Sequence, residues 1–188
     1  MGVEEKIDLD IFKLVTRAIA KSNNLVIMAN HLTQLLVGAL GIKGCSIFIL
    51  NPESKEIEAL ASFGLSIQYM TKGPILADKS IGSIISKEPV VIADANDTNR
   101  LQYPEEAKKE GIGAIVSIPI TSHAEPIGAL RLYHHKKWDV LEGDLDSLVI
   151  FGENIGLVMT YARILTALSC VKEAMDDVHP IWLDTNRE

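Results

Sequence analysis

The sequence predicts an α+β domain: an antiparallel sheet of five or six strands, terminal helices packed on one face, and a crossover segment with short helices on the other. Three observations lead there. Two pairs of β-patterned runs, 43–50 with 56–63 and 114–120 with 127–134, are each joined by a short polar connection and read as antiparallel hairpins. Helix-patterned stretches flank them at both ends of the chain. Between the hairpins, residues 64–111 lose strict periodicity, so they form an irregular crossover and not a third regular layer.

Taken in order, Asp8 or Asp10 caps a first helix whose Ile11, Leu14, Val15, Ala18 and Ile19 recur at i, i+3, i+4 and i+7. Ser22-Asn23-Asn24 breaks it with capping residues. A second helix carries Leu25, Met28, Leu32, Leu35, Leu36 and Ala39 on one face, and Gly41 ends it. The run 43–50 is apolar at both alternating positions, which marks a central strand covered on both sides. Asn51-Pro52-Glu53-Ser54-Lys55 has turn composition, and 56–63 returns. In the crossover the pattern gives short helices at 66–72, 80–87 and 104–109, a short strand at 89–92 and a loop at 94–101. The second hairpin is joined by a six-residue connection, 121–126. A long helix covers 141–177, Pro180 stops it, and 181–188 is a tail.

Composition narrows the function classes. With 47% hydrophobic and 23% charged residues in 188, the chain suits one soluble domain. A net charge of -7 excludes a nucleic-acid binder, since the one basic run, His134-His135-Lys136-Lys137, is too short to track a phosphate backbone. Two cysteines without a CxxC spacing exclude a zinc site and suit a reducing cytoplasm. The N-terminus lacks an apolar signal core. The longest apolar stretch, 145–168, is broken by Glu153, Asn154 and Arg163, so neither export nor a membrane span is expected.

Four blocks carry a resemblance to a known family: Gly44-Cys45-Ser46-Ile47-Phe48-Ile49-Leu50; Ala61-Ser62-Phe63-Gly64-Leu65-Ser66; Pro89-Val90-Val91-Ile92-Ala93-Asp94; and the run 111–120 together with 127–133. In order and spacing they resemble GAF domains, the regulatory modules of histidine kinases, phosphodiesterases, phytochromes and bacterial transcriptional activators. The resemblance covers residues 24–162. It divides the chain into an N-terminal helix (1–23), the domain (24–162), an extension of the last helix (163–180) and the tail (181–188). It implies a sheet of about six strands, a small-molecule pocket between sheet and crossover, and dimerisation through terminal helices.

The specialised chemistries of that family do not fit these residues. Bilin attachment needs a pocket cysteine, and the crossover has none. Free methionine sulfoxide reduction needs an attacking and a resolving thiol, whereas Cys45 lies on a core strand and Cys170 on the last helix. The cyclic-nucleotide members carry an Asn-Lys…Phe…Asp-Glu signature, and after Tyr133 no Asn-Lys pair follows. A haem ligand is not offered by His123, in a turn, or by His134 and His135, at a strand end. No cofactor, metal or catalytic residue is therefore expected.

The candidate ligand residues are Asp94 and Arg100, which either hold a polar ligand or staple their own loop; Tyr103, which either offers a ring and a hydroxyl to a ligand or serves as packing; and Ser117, a hydroxyl in an otherwise apolar strand that either touches a ligand or bonds to a neighbouring carbonyl. Arg131, mid-strand between Leu130 and Leu132, contacts either a carboxylate, solvent or a ligand. The last helix has two apolar stripes, Leu145, Leu148, Ile155, Met159 and Ala162, and Phe151, Val158, Leu165 and Leu168. One docks on the sheet, and the other suits a second subunit, with Leu148, Gly152, Ile155 and Met159 as candidate interface residues. The expected function is a non-catalytic, small-molecule-binding sensor that signals through a homodimer to a kinase or transcriptional regulator. The alternative is a dimerisation or protein-interaction domain with a degenerate pocket.

Overall fold

The computed structural model describes residues 5–21, 24–76, 81–96 and 100–183. Two helices, α1 (Leu9–Lys21) and α2 (Leu25–Leu40), lead into β1 (Gly44–Leu50) and β2 (Glu56–Phe63). The crossover holds α3 (Ile67–Met70), β3 (Ile75–Leu76), α4 (Ser83–Ser86), β4 (Val90–Ile92) and α5 (Pro104–Glu110). The second hairpin, β5 (Ala114–Ser122) and β6 (Glu125–His134), feeds α6 (Glu142–Leu183). The six strands form one antiparallel sheet in the order β3-β2-β1-β6-β5-β4. The central position expected for the first strand is therefore occupied by β1, between β2 and β6.

Alternation of side chains sorts the strands' residues between two faces. Cys45, Ile47, Val116, Ile118, Leu130 and Leu132 enter the main core, against α1, α2 and α6. Phe48, Ile115, Ala129 and Tyr133 point the other way, under the crossover. Both faces are buried, as the doubly apolar pattern of β1 requires.

Local chemistry explains the helix ends. The Asp8 carboxylate accepts the Ile11 N–H at 2.8 Å, and Asn24 caps α2 by accepting from the Ile27 N–H at 3.0 Å. Gly41 closes α2 in the left-handed conformation. Residues 5–8 are latched to the start of α6 by the buried Asp144 carboxylate, which accepts the N–H groups of Lys6 and Ile7. The crossover is pinned at its two ends: Glu110, the last residue of α5, accepts from the Ser66 N–H and hydroxyl and pairs with Lys43.

Four expectations are corrected. Leu14 is exposed, and the inner face of α1 is Val15 and Ile19, with Phe12 stacked on Phe151 at 5.3 Å. The β5–β6 connection is two residues long and not six: His123 and Ala124 both take positive φ (52° and 63°), so Ser122 pairs with Glu125 and the ladder runs through Pro126. The edge strand β3 has two residues, too short to leave a period. The last helix continues past Pro180 to Leu183, since proline's own φ is helical and it removes only one N–H from the ladder. Residues 22–23, 97–99 and 184–188, read as a break, part of a loop and part of the tail, lie outside the described residues.

The placement of α6 corrects a fifth. Leu148, Gly152, Ile155 and Met159 were expected at an interface between subunits, but they face the chain's own sheet. Leu148, Ile155 and Met159 are buried in the main core, and Gly152 faces Pro119 of β5. A Cβ at Gly156 would stand 1.9 Å from the Thr121 carbonyl oxygen, so helix and strand backbones touch there. By length and composition α6 is apolar enough to cross a bilayer, yet 33% of its most apolar window is buried within the domain.

Gly156→Ala is expected to destabilise the fold by about 2 kcal/mol, because the methyl group meets backbone and not a pliable side chain. For a chain of this size that lowers the midpoint by roughly 4–8 °C in a thermal melt. An unchanged melting temperature refutes the close approach of α6 to β5.

Candidate functional site

On the crossover face the sheet carries a row of polar side chains where apolar ones would otherwise meet. Cross-strand register sets Ser62 beside Ser46, Ser46 beside Arg131, and Arg131 beside Ser117. The two serine hydroxyls at the β1–β2 end share a hydrogen bond of 2.9 Å. The Arg131 Nε donates to the Ser117 hydroxyl at 3.3 Å, and the guanidinium lies 5.0 Å from the Phe48 ring centroid. Arg131 is only 4% exposed, and its burial works against the charged form and lowers its pKa. The Tyr133 hydroxyl bonds to the side chains of Ser46 and Arg131, and burial raises its pKa. Polar groups taken out of water are costly unless partnered, and these partner one another.

Above this row the crossover leaves a cavity of about 20 Å³, room for one water. Its floor is Arg131 and Ile115; its walls are Tyr69 and Lys72 from the end of α3, Ile75, Ile81 and the stretch Leu101, Gln102, Tyr103. Tyr69 meets Tyr133 edge to face at 5.9 Å. Gln102 and Tyr103 hold the crossover closed by donating to the Pro74 carbonyl at 3.0 and 2.8 Å, and the Gln102 side-chain oxygen accepts from the Leu76 N–H.

Lys72 is the most perturbed ionisable group on the cavity wall among those that keep access to solvent. Its ammonium lies 3.8 Å from the Tyr69 ring centroid and 5.7 Å from that of Tyr103, and donates to the Tyr69 carbonyl at 2.9 Å. Burial first, and the nearby Arg131 charge second, lower its pKa to about 8.

Of the residues nominated by sequence, Tyr103 lines the cavity, and Ser117 lies directly behind it as a partner of Arg131. Asp94 does not reach the cavity. It pairs with Lys137 and accepts the Asn96 N–H at 3.0 Å, the loop-stapling alternative, and those bonds hold its carboxyl below the ordinary range. Arg100 is exposed and is not among the cavity-lining residues. Sequence reasoning passed over Lys72, Tyr69 and Gln102. A charged residue among leucines was the signal for Arg131, while Lys72 gave none, because its surroundings come from three separate segments. Cys45 lies on the opposite face, fully buried in the helical core, and burial raises its thiol pKa far above the ordinary value.

Because the folded-state pKa of Lys72 lies below its unfolded value of 10.5, the unfolded chain binds more protons between about 8 and 10.5. Stability contributed by this group therefore rises with pH across that window and is lowest below it. A ¹³C titration of lysine side chains is expected to show one ε-methylene with a midpoint near 8. The stability advantage of Lys72→Met over the parent is expected to shrink from about pH 7 to about pH 10. A Lys72 midpoint above 10 overturns this placement of the amine.

Comparisons with known proteins agree with this geometry. The sequence model described as GAF domain matches residues 24–159. Similar solved structures include the GAF domain of a phosphoenolpyruvate-protein phosphotransferase from Coxiella burnetii (22% identity, 85% of this chain and 96% of that one, TM-score 0.77). The GAF domain of an Acinetobacter phosphoenolpyruvate-protein phosphotransferase is also similar (19% identity, 83% and 94%, TM-score 0.71). So is the free methionine-R-sulfoxide reductase of Neisseria meningitidis, solved with its substrate (13% identity, 87% and 98%, TM-score 0.71). At these identities the likeness is one of fold. No curated protein sequence matches the chain.

Proposed function

The chain belongs to the GAF domain family, sensory and regulatory modules of signalling, and from that premise we propose that it is a non-catalytic, cytoplasmic sensor. In this reading it binds a small molecule under the crossover and reports it through a homodimer of its last helix.

One observation carries the reading: the cavity and the output helix share a wall. On β5, Ile115 and Ser117 face the crossover while Val116 and Ile118 face the helical layer, where α6 rests on the same strand through Gly152 and Gly156. A ligand that shifts Arg131 and Ser117 therefore moves the surface on which α6 sits. A non-catalytic role is supported by the burial of Cys45 away from the cavity, which separates the one core thiol from any bound molecule.

The dimer half of the proposal moves to a different face of α6 from the one read in the sequence. Leu157, Tyr161, Ile164, Leu168, Val171 and Met175 are all exposed, in steps of four, three, four, three and four residues. That is an a/d heptad seam sustained beyond the sheet, where α6 touches little else of its own chain. Ile150 continues the seam toward the domain, and the slot between it and Leu157 holds Asn154, a polar residue of the kind that fixes register in two-stranded coils. The seam occupies one side of the helix, with Lys172 beside it and Arg163 and Glu173 on the side away from it, a pattern that suits a partner helix and not lipid. The occupant is a second copy, parallel and in register, and a kinase or transcriptional regulator is the partner class that would read it.

A second reading is a dimerisation domain whose pocket is filled by its own side chains, and the small volume of the cavity favours it. Native mass spectrometry separates the two. The sensor reading expects a dimer carrying a bound small molecule, or one whose melting temperature rises with a metabolite; a dimer that no metabolite stabilises leaves the second reading.

Replacing Ile164 and Leu168 with glutamate is expected to convert a dimer to a monomer in sedimentation equilibrium while leaving the near-ultraviolet dichroism of the domain intact. Leu148→Glu, buried against the sheet, is expected instead to unfold it. Dimers that persist in the double variant overturn the seam.

A further inference from the structure

The lining of the cavity is of two kinds. Ile75, Ile81, Leu101 and Ile115 are apolar, while Lys72, Arg131 and the Gln102 amide bring N–H donors. Among the described lining residues there is no carboxylate.

The Lys72 ammonium is held by weak partners. It has three N–H donors, of which the Tyr69 carbonyl takes one, and two aromatic faces stand in for the rest. Among the described residues, no acid lies within ion-pair distance of it. The groups that act on it from the surrounding elements are Arg131 of β6, which opposes its charge, and Glu106 and Glu110 of α5, which favour it more weakly than burial and Arg131 oppose it. Glu110 is engaged by Lys43 and Ser66. Tyr69 and Tyr103 are the remaining titratable groups that face the amine.

We infer that this cavity takes a short-chain carboxylate, whose head group binds the Lys72 ammonium and draws it off the Tyr69 ring, with Arg131 and the Gln102 amide as further donors and the isoleucines receiving the carbon chain. The inference rests on the sensor reading above and names its ligand class. Three features support it. A carboxylate makes a charge-assisted bond where the ring offers only its quadrupole. It lies between two cations whose mutual repulsion it relieves. The apolar wall gives specificity for a ligand with a few carbons over inorganic anions. The cavity as it stands has room for one water, so binding requires Lys72 to step aside and the crossover to open around the carbon chain, which favours a chain of a few carbons. That step loosens the contact between α3 and the residues of 101–103 that close the crossover.

Binding is then linked to a proton. The carboxylate needs the ammonium, so affinity is constant below the pH at which free Lys72 titrates, and above about 8 it falls by up to tenfold per pH unit.

The test is calorimetric titration of the intact protein with sodium butyrate and with butyramide, its neutral isostere, at fixed ionic strength and at several pH values from neutral to alkaline. The expected result is binding of butyrate at least tenfold tighter than butyramide, loss of that preference in Lys72→Met, and retention in Lys72→Arg without the alkaline fall. Near-ultraviolet dichroism of each variant verifies that the domain is intact. Equal binding of butyrate and butyramide overturns the carboxylate class and leaves the sensor reading standing, as does unchanged butyrate affinity in Lys72→Met. If neither compound binds, the carboxylate inference is overturned; if, in addition, no small molecule is retained in native mass spectrometry, the sensor reading fails with it.

Discussion

A guanidinium in the middle of a sheet covered on both sides is the constraint from which the rest of this molecule can be read. Arg131 occupies β6, with β1 on one side and β5 on the other, where a helix-covered sheet would ordinarily place a branched aliphatic residue. Its charge cannot be shed, so the fold surrounds it with groups that bear on it. Ser117 accepts from one side, Tyr133 bonds from the next residue on the same face, and the Phe48 ring lies beside it. Ser46 and Ser62 prolong the polar row because a hydroxyl beside Ser46 or Tyr133 is satisfied where a methyl would strand a buried donor. A flat apolar lid would leave this row unmet. An irregular crossover, with its turns and side-chain donors, covers it and leaves a small space above the cation.

The same constraint divides labour between the two faces of the central strands. The helical face is uniformly apolar and tightly filled, so it is stiff. The crossover face is polar, made of short elements, and closed by a few hydrogen bonds from Gln102 and Tyr103 to Pro74 and Leu76. Local opening free energies follow contact density, so the crossover is the side that opens first. The crossover ends are nonetheless tied together, because Glu110 bridges Ser66 and Lys43.

How much of this could be read from residues alone depended on where each signal came from. The apolar patterns of β1, β2, β5 and β6, and the caps at Asn24 and Gly41, are local, and they located those elements to within a few residues. The tight turn at His123 and Ala124 was not legible, because positive φ is ordinarily announced by glycine or asparagine and neither is present. In α6 both rows of apolar residues were visible, but periodicity says only that two faces exist. Which face meets the chain's own sheet is decided by Gly152 and Gly156, whose missing side chains admit β5, and the sequence offered those glycines equally to a partner helix. Of the site, Ser117 and Tyr103 were reachable because a polar residue in an apolar run and an aromatic next to a loop are local anomalies. Lys72 was not: an ordinary lysine two residues past a four-residue helix acquires its character only when Tyr103 and Arg131 arrive from elsewhere in the chain to join the neighbouring Tyr69.

The two faces of α6 also explain how a change under the crossover can leave the domain. Sheet-facing Leu148, Ile155 and Met159 precede outward-facing Ile150, Leu157 and Tyr161 by two residues each, which sets the two rows roughly 200° apart around the helix. They lie on nearly opposite sides of one rod. A helix does not deform across its own diameter as readily as two packed surfaces slide, so a shift of β5 at Gly152 and Gly156 is delivered whole to the outer seam. Interfaces between helices respond to displacements of 1–2 Å by changing packing in steps and not continuously. On the proposed reading the output follows from helix geometry: whatever moves the strand beneath Arg131 moves the outer row of α6, with no further moving part between them.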